Sequence, residues 1–109
     1  MTTLVYGGLS YRDPWTKIDN SVLTNRNISD GAARLYMYLA GYNPAKPIND
    51  NYLLLAMNTS KATLARRKAE LYAEDLISTV QLAPRVHIIF VGTSGNPASK
   101  VAREWERTL

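Results

Sequence analysis

The stretch "MNTSKATLARRKAEL", residues 57–71, decides the fold. Ser60 can accept a free backbone N–H and so start a helix that runs over residues 60–73. Leu64 and Leu71 lie one heptad apart and point to a core. The opposite face holds Ala62, Ala65, Arg66 and Ala69. Arg66, Arg67 and Lys68 are three adjacent cations. Directly before this helix runs "NDNYLLLAM", residues 49–57, a second helix starting at Asn49 or Asp50 and broken by Asn58-Thr59. Two helices joined by a three- or four-residue turn form a compact unit whose second helix presents a free face.

Upstream, "ISDGAARLYMYLAGYN", residues 28–43, reads as a helix with Ser29 or Asp30 at its N-cap. Ala32, Leu35, Tyr36 and Leu39 recur at helical spacing. Gly41 and Asn43-Pro44 end it, with Gly41 expected to supply a left-handed residue. Downstream the period changes from helical to alternating. "LISTVQL", residues 76–82, and "VHIIFVG", residues 86–92, read as two strands joined by a tight "APR" turn. "TSGNP" leads into "ASKVAREWERTL", residues 98–109, a last helix with Ala98, Val101, Ala102, Trp105 and Leu109 on one face. Residues 1–16 read as an arm with little regular structure beyond a short strand at Leu4–Tyr6, and Lys17–Ile18 as a short extended piece.

The chain of 109 residues suits one domain with a modest core, and 46% apolar residues are ordinary for a globular protein. Without cysteine, disulfides and thiolate-bound zinc are excluded. No apolar run approaches the roughly 20 residues that span a bilayer. The opening residues lack the basic and apolar regions of a secretory signal, so the expected location is the cytoplasm. The net charge is +4. Lys61, Arg66, Arg67 and Lys68 against Glu70 place most of it on one twelve-residue segment. A cationic helix suits a polyanionic partner, although such charges usually form only a solvated face.

The order helix, helix, turn, helix, hairpin resembles the winged helix-turn-helix superfamily over about residues 17–91. Within it the chain is similar to small DNA-binding domains of phage and plasmid replication and regulatory proteins, and to regulators of the GntR and MarR type. The resemblance implies a mainly α fold with a small β-hairpin (α+β). Residues 17–92 would be the winged domain, 1–16 an N-terminal arm, and 93–109 a linker and C-terminal helix. The family's usual Gly-Leu-Ile after the recognition helix is replaced here by Asp75-Leu76-Ile77. Asp tolerates the left-handed conformation better than most residues.

The resemblance implies a protein that places helix 60–73 in the major groove of double-stranded DNA. Thr59, Ser60, Lys61 and Thr63 would meet phosphate at the helix N-terminus. Ala62 and Ala65 would lie against base edges, and Arg66 would pair with guanine. Arg67 flanks that face and would add to DNA binding. Arg85, at the hairpin tip, would touch phosphate or the minor groove. Such a protein would be a small transcriptional regulator located on the nucleoid. A replication-initiation or excision factor, and a winged helix that docks another protein without DNA, stand as alternatives.

Val101, Trp105 and Leu109 serve either the monomer's own core or a homodimer through the C-terminal helix. His87, the single histidine, reads as an ordinary strand residue. No metal-ligand spacing, Gly-rich phosphate loop or nucleophile–base pair stands out. The expectation is therefore no enzyme, no cofactor, no metal, no membrane contact and no small-molecule substrate.

Overall fold

A computed structural model describes residues 2–6, 14 and 16–109. Of the expected N-terminal arm, residues 1, 7–13 and 15 lie outside them. Among the described residues the chain forms an α+β fold of five helices and one three-stranded sheet. The order is β1 (Thr2–Tyr6), α1 (Asn20–Leu23), α2 (Asp30–Ala40), α3 (Asp50–Met57), α4 (Lys61–Ala73), β2 (Ile77–Ala83), β3 (Val86–Val91) and α5 (Ala98–Glu106).

Each long helix starts where a side-chain oxygen takes an orphan N–H. Ser29 accepts from Ala32, Asn49 from Tyr52, and Ser60 from Thr63. Helix α3 ends on Asn58, which adopts the left-handed region at φ 51°, and the chain enters α4 two residues later. Helix α4 ends on Asp75 at φ 55°. Leu76 N–H donates to Leu71 C=O and Asp75 N–H to Tyr72 C=O, the paired bonds of a Schellman motif. Leu71 and Leu76, the apolar pair that accompanies this motif, are both buried.

Two expectations at helix ends are corrected. Gly41 closes α2 at φ −95°, which is not left-handed. Its missing side chain matters for space, since a Cβ there would sit 2.4 Å from Thr16 Oγ1. Lys17–Ile18 belongs to no strand, and beyond it the chain makes the short helix α1, capped by Asp19. The Asp19 carboxyl is held below its usual range by bonds from the Ser21 hydroxyl and backbone N–H.

The hairpin is part of a larger sheet than expected. Strand order is β1-β3-β2, with β1 parallel to β3 and β2 antiparallel to it. The N-terminal segment thus contributes a full strand. Its Thr3 also exchanges two backbone bonds with Ile48, just ahead of α3.

Strand side chains alternate between faces, and the sheet separates two apolar layers. Val5, Ile77, Ile89 and Val91 join Leu35, Leu39, Leu53, Leu64 and Leu71 of the helices on one face. Leu4, Val80, Ile88 and Phe90 meet Val101, Ala102 and Trp105 of α5 on the other. Phe90 and Trp105 meet as tilted rings, 5.4 Å between centroids. Helix α5 therefore completes the core of its own chain. Leu109 does not take part: the helix stops at Glu106, and Leu109 is 83% exposed.

Gly92 makes this docking feasible, because a Cβ there would lie 2.2 Å from the Ala98 backbone nitrogen. Its carbonyl accepts a short hydrogen bond from the buried Tyr36 hydroxyl. Burial pushes the Tyr36 phenol above its ordinary pKa.

Candidate functional site

The four cations on α4 have different surroundings. Lys68 Nζ is 2.7 Å from Asp50 Oδ1 in the first turn of α3. Arg67 is half-buried and lies over Gly31. A Cβ at Gly31 would sit 2.2 Å from Arg67 Nε, so the glycine provides the seat for the guanidinium. Lys61 and Arg66 are exposed and form no ion pair among the described residues. Arg67 and Lys68 are thus drawn sideways onto α2 and α3, while Lys61 and Arg66 face outward.

Between and beside these two cations lie Ala62, Ala65 and Ala69, all exposed. With methyl groups only, the face is low and lets a partner approach the helix axis closely. A groove lined by Asp50, Asn51, Lys61, Leu64, Ala65 and Lys68 runs between α3 and α4 along one side. At the start of α4, Ser60 Oγ accepts from Thr63 N–H at 3.3 Å and donates to Thr63 Oγ1 at 3.1 Å. The N–H groups of Lys61 and Ala62 precede the first intrahelical bond and point out of the helix end. Thr59 is half-buried, and its N–H is bound to Leu54 C=O.

Carboxylates fix helix α4 along the flank that faces α1 and α2. Glu70 accepts from the Ser29 backbone N–H at 2.7 Å and from its hydroxyl at 2.8 Å. Glu74 accepts from the side-chain amides of Asn25 and Asn27. Those two bonds hold the Glu74 carboxyl below its usual pKa. The free face is therefore presented by a helix anchored to the α1–α2 segment and to α3. None of these partners was legible beforehand, because each lies on another element.

Arg85 stands at the tip of the β2–β3 hairpin, exposed and 10 residues beyond the Asp75 cap. The loop is only Pro84-Arg85, with Ala83 paired to Val86. Arg85 has φ 68°. Pro followed by a left-handed residue is the signature of a type II turn, whose second position normally takes glycine. Val101 and Trp105 belong to the second core, remote from this face.

No family model, curated protein or solved structure matches the chain.

Among the described residues no group of His, Asp and Glu is placed to hold a metal ion. No described helix is long and apolar enough to cross a membrane.

Proposed function

We propose that the chain is a winged helix-turn-helix protein that binds double-stranded DNA. In this reading α3 and α4 are the helix-turn-helix, α4 enters the major groove, and the β2–β3 hairpin is the wing. The process served is that of a small transcriptional regulator or a phage or plasmid accessory factor. The observation that carries the reading is the composition of the exposed α4 face. Three alanines form its floor, and its two cations, Lys61 and Arg66, are the pair on α4 not held by the protein itself. Alanine favours any exposed helix, but here the small side chains lie between two cations that pair with no carboxylate among the described residues, which suits a polyanion. A groove floor requires close approach, and alanine methyls suit contact with thymine methyls.

Arg66 takes the base-reading role, as a guanidinium that pairs with guanine O6 and N7. Lys61 and the free N–H groups at the α4 N-terminus take phosphate. Arg85 takes phosphate beside the wing. Arg67 orients α4 against α2 and reads nothing. The test is duplex binding by fluorescence anisotropy over a salt series. Arg66→Ala should weaken binding and relax preference at one base position by about 1–3 kcal/mol. Lys61→Ala should weaken all sequences alike and reduce the log–log salt slope by about one unit. Duplex affinity unchanged in the double variant at low salt would reject the reading.

A second reading rests on α3, where Leu55 is 82% and Tyr52 51% exposed. An apolar pair at that exposure favours a winged helix that docks another protein. That contact would show little dependence on salt and would be lost on Leu55→Ser, while the wild-type chain would bind no duplex.

A further inference from the structure

We propose that β2 is the pairing edge for a second copy of this chain, joined antiparallel across a two-fold axis at Thr79. Strand order leaves β2 with one neighbour, so one side of its backbone is unpaired among the described residues. Gly92 N–H donates to Leu76 C=O, which makes that pair a hydrogen-bonded one in the β2–β3 ladder. The alternation of an antiparallel pair then turns the backbone groups of Ser78 and Val80 toward β3, and those of Ile77, Thr79 and Gln81 outward.

Proteins usually guard such an edge with charge or proline. Residues 77–83, "ISTVQLA", contain neither. The bulge between Gln81 and Ala83 ends the regular ladder, so the usable window is residues 77–81. Its centre is Thr79, whose N–H and C=O point outward. An antiparallel copy centred there puts Thr79 opposite Thr79 and Ile77 opposite Gln81. Every opposed pair is uncharged, although the whole chain carries +4. A threonine pair directly opposite is a favourable cross-strand contact. Exposed Tyr72 and Leu82 flank the edge and would gain cover.

The partner is a second copy because the window paired with itself sets no like charges opposite each other, although each chain carries +4. The apolar stripe on α5, the other candidate dimer surface, is occupied by the chain's own sheet. Pairing also rests on the DNA reading in one respect: helix-turn-helix proteins commonly engage two half-sites as dimers. The edge itself is tested without DNA.

The experiment is sedimentation equilibrium of the full chain, with Thr79→Lys, Thr79→Glu and Gln81→Pro alongside. Wild type should be a dimer that dissociates on dilution. Thr79→Lys sets two ammonium groups opposite each other, and Thr79→Glu two carboxylates. Each variant alone should be monomeric and folded, with melting lowered modestly by loss of the hydrogen bond between the Thr79 and Tyr72 hydroxyls. Mixing them in equal amounts should restore the dimer, which a loss of monomer structure would not allow. Gln81→Pro removes an outward N–H that the monomer does not use and should also give a monomer. A monomeric wild type at a few hundred micromolar, or variants that dimerise as wild type does, would overturn the proposal. A dimer that binds no duplex would reject the DNA reading and leave this one standing. A monomer that binds duplex would do the reverse.

Discussion

Arg85 and Asp75 both occupy left-handed backbone, yet for different reasons. Asp75 uses its carboxylate: Oδ1 accepts from Ser99 N–H at 2.9 Å, Oδ2 accepts from the Ser99 hydroxyl, and its carbonyl accepts from Ala98 N–H. It caps α5, where Pro97 offers no side-chain oxygen. A glycine would fit the turn but leave that helix start open. Arg85 has no such contact among the described residues, and a non-glycine residue there costs roughly 1–2 kcal/mol. Arg85→Gly should therefore stabilise the fold by about 1 kcal/mol in urea denaturation. It should also lower duplex affinity evenly across sequences, with a salt slope smaller by about one unit. A stabilised variant with an unchanged salt slope would remove Arg85 from the interface. Three side chains on α4 show why charge alone misleads. The helical period already sets Arg66 on the outward face, but only Gly31 and Asp50, on other helices, show how Arg67 and Lys68 beside it are held down.

At the scale of elements, legibility followed the range of the forces. Helices α2, α3 and α4 carry their caps and their apolar period within a dozen residues each, so their limits could be read. The β2–β3 hairpin was equally local. Strand β1 was only glimpsed, because its partner is β3, more than eighty residues away, and nothing local encodes a parallel pairing. The low alanine face of α4 was legible from its spacing. Its anchors, Glu70 on Ser29 and Glu74 on Asn25 and Asn27, were not.

The Asp75 junction ties α4 to α5 and yields a graded series. Asp75→Gly keeps the turn and loses the cap, and should cost about 1 kcal/mol. Asp75→Ala loses the cap and strains the turn, and should cost about 2–3 kcal/mol. Equal costs would mean that the cap contributes little. Glu74 gives the pH dependence of its anchor. Its folded pKa is depressed, so its contribution is present above the ordinary carboxylate range and is lost as pH falls through the folded value. Denaturant stability measured from pH 6 down to pH 3 should fall less steeply in Glu74→Gln than in wild type.

For the molecule as a whole, the sheet is the partition on which both layers depend. Its helical face positions α4, and its other face is closed by α5 through Phe90, Ile88, Ala102 and Trp105. This assigns the terminal apolar stripe to folding. Trp105 is half-buried and packed at a tilt against Phe90, which also meets Tyr6 edge-on at 5.3 Å. Trp105→Ala should cost about 2–4 kcal/mol, toward the lower part of the range for large aromatic truncations because part of the ring is already in water. Gly92→Ala attacks the same layer from the backbone, since α5 must back away from the new methyl, and should cost about 1–3 kcal/mol. Both variants should keep the molecular mass of wild type in sedimentation, because α5 meets its own sheet and the pairing edge is β2. Both should retain single-site duplex affinity when assayed well below their lowered melting temperature, because Lys61, Arg66 and the alanine floor stand on the opposite layer. A Trp105→Ala protein that melts as wild type but halves its mass would return α5 to the role of a dimer contact.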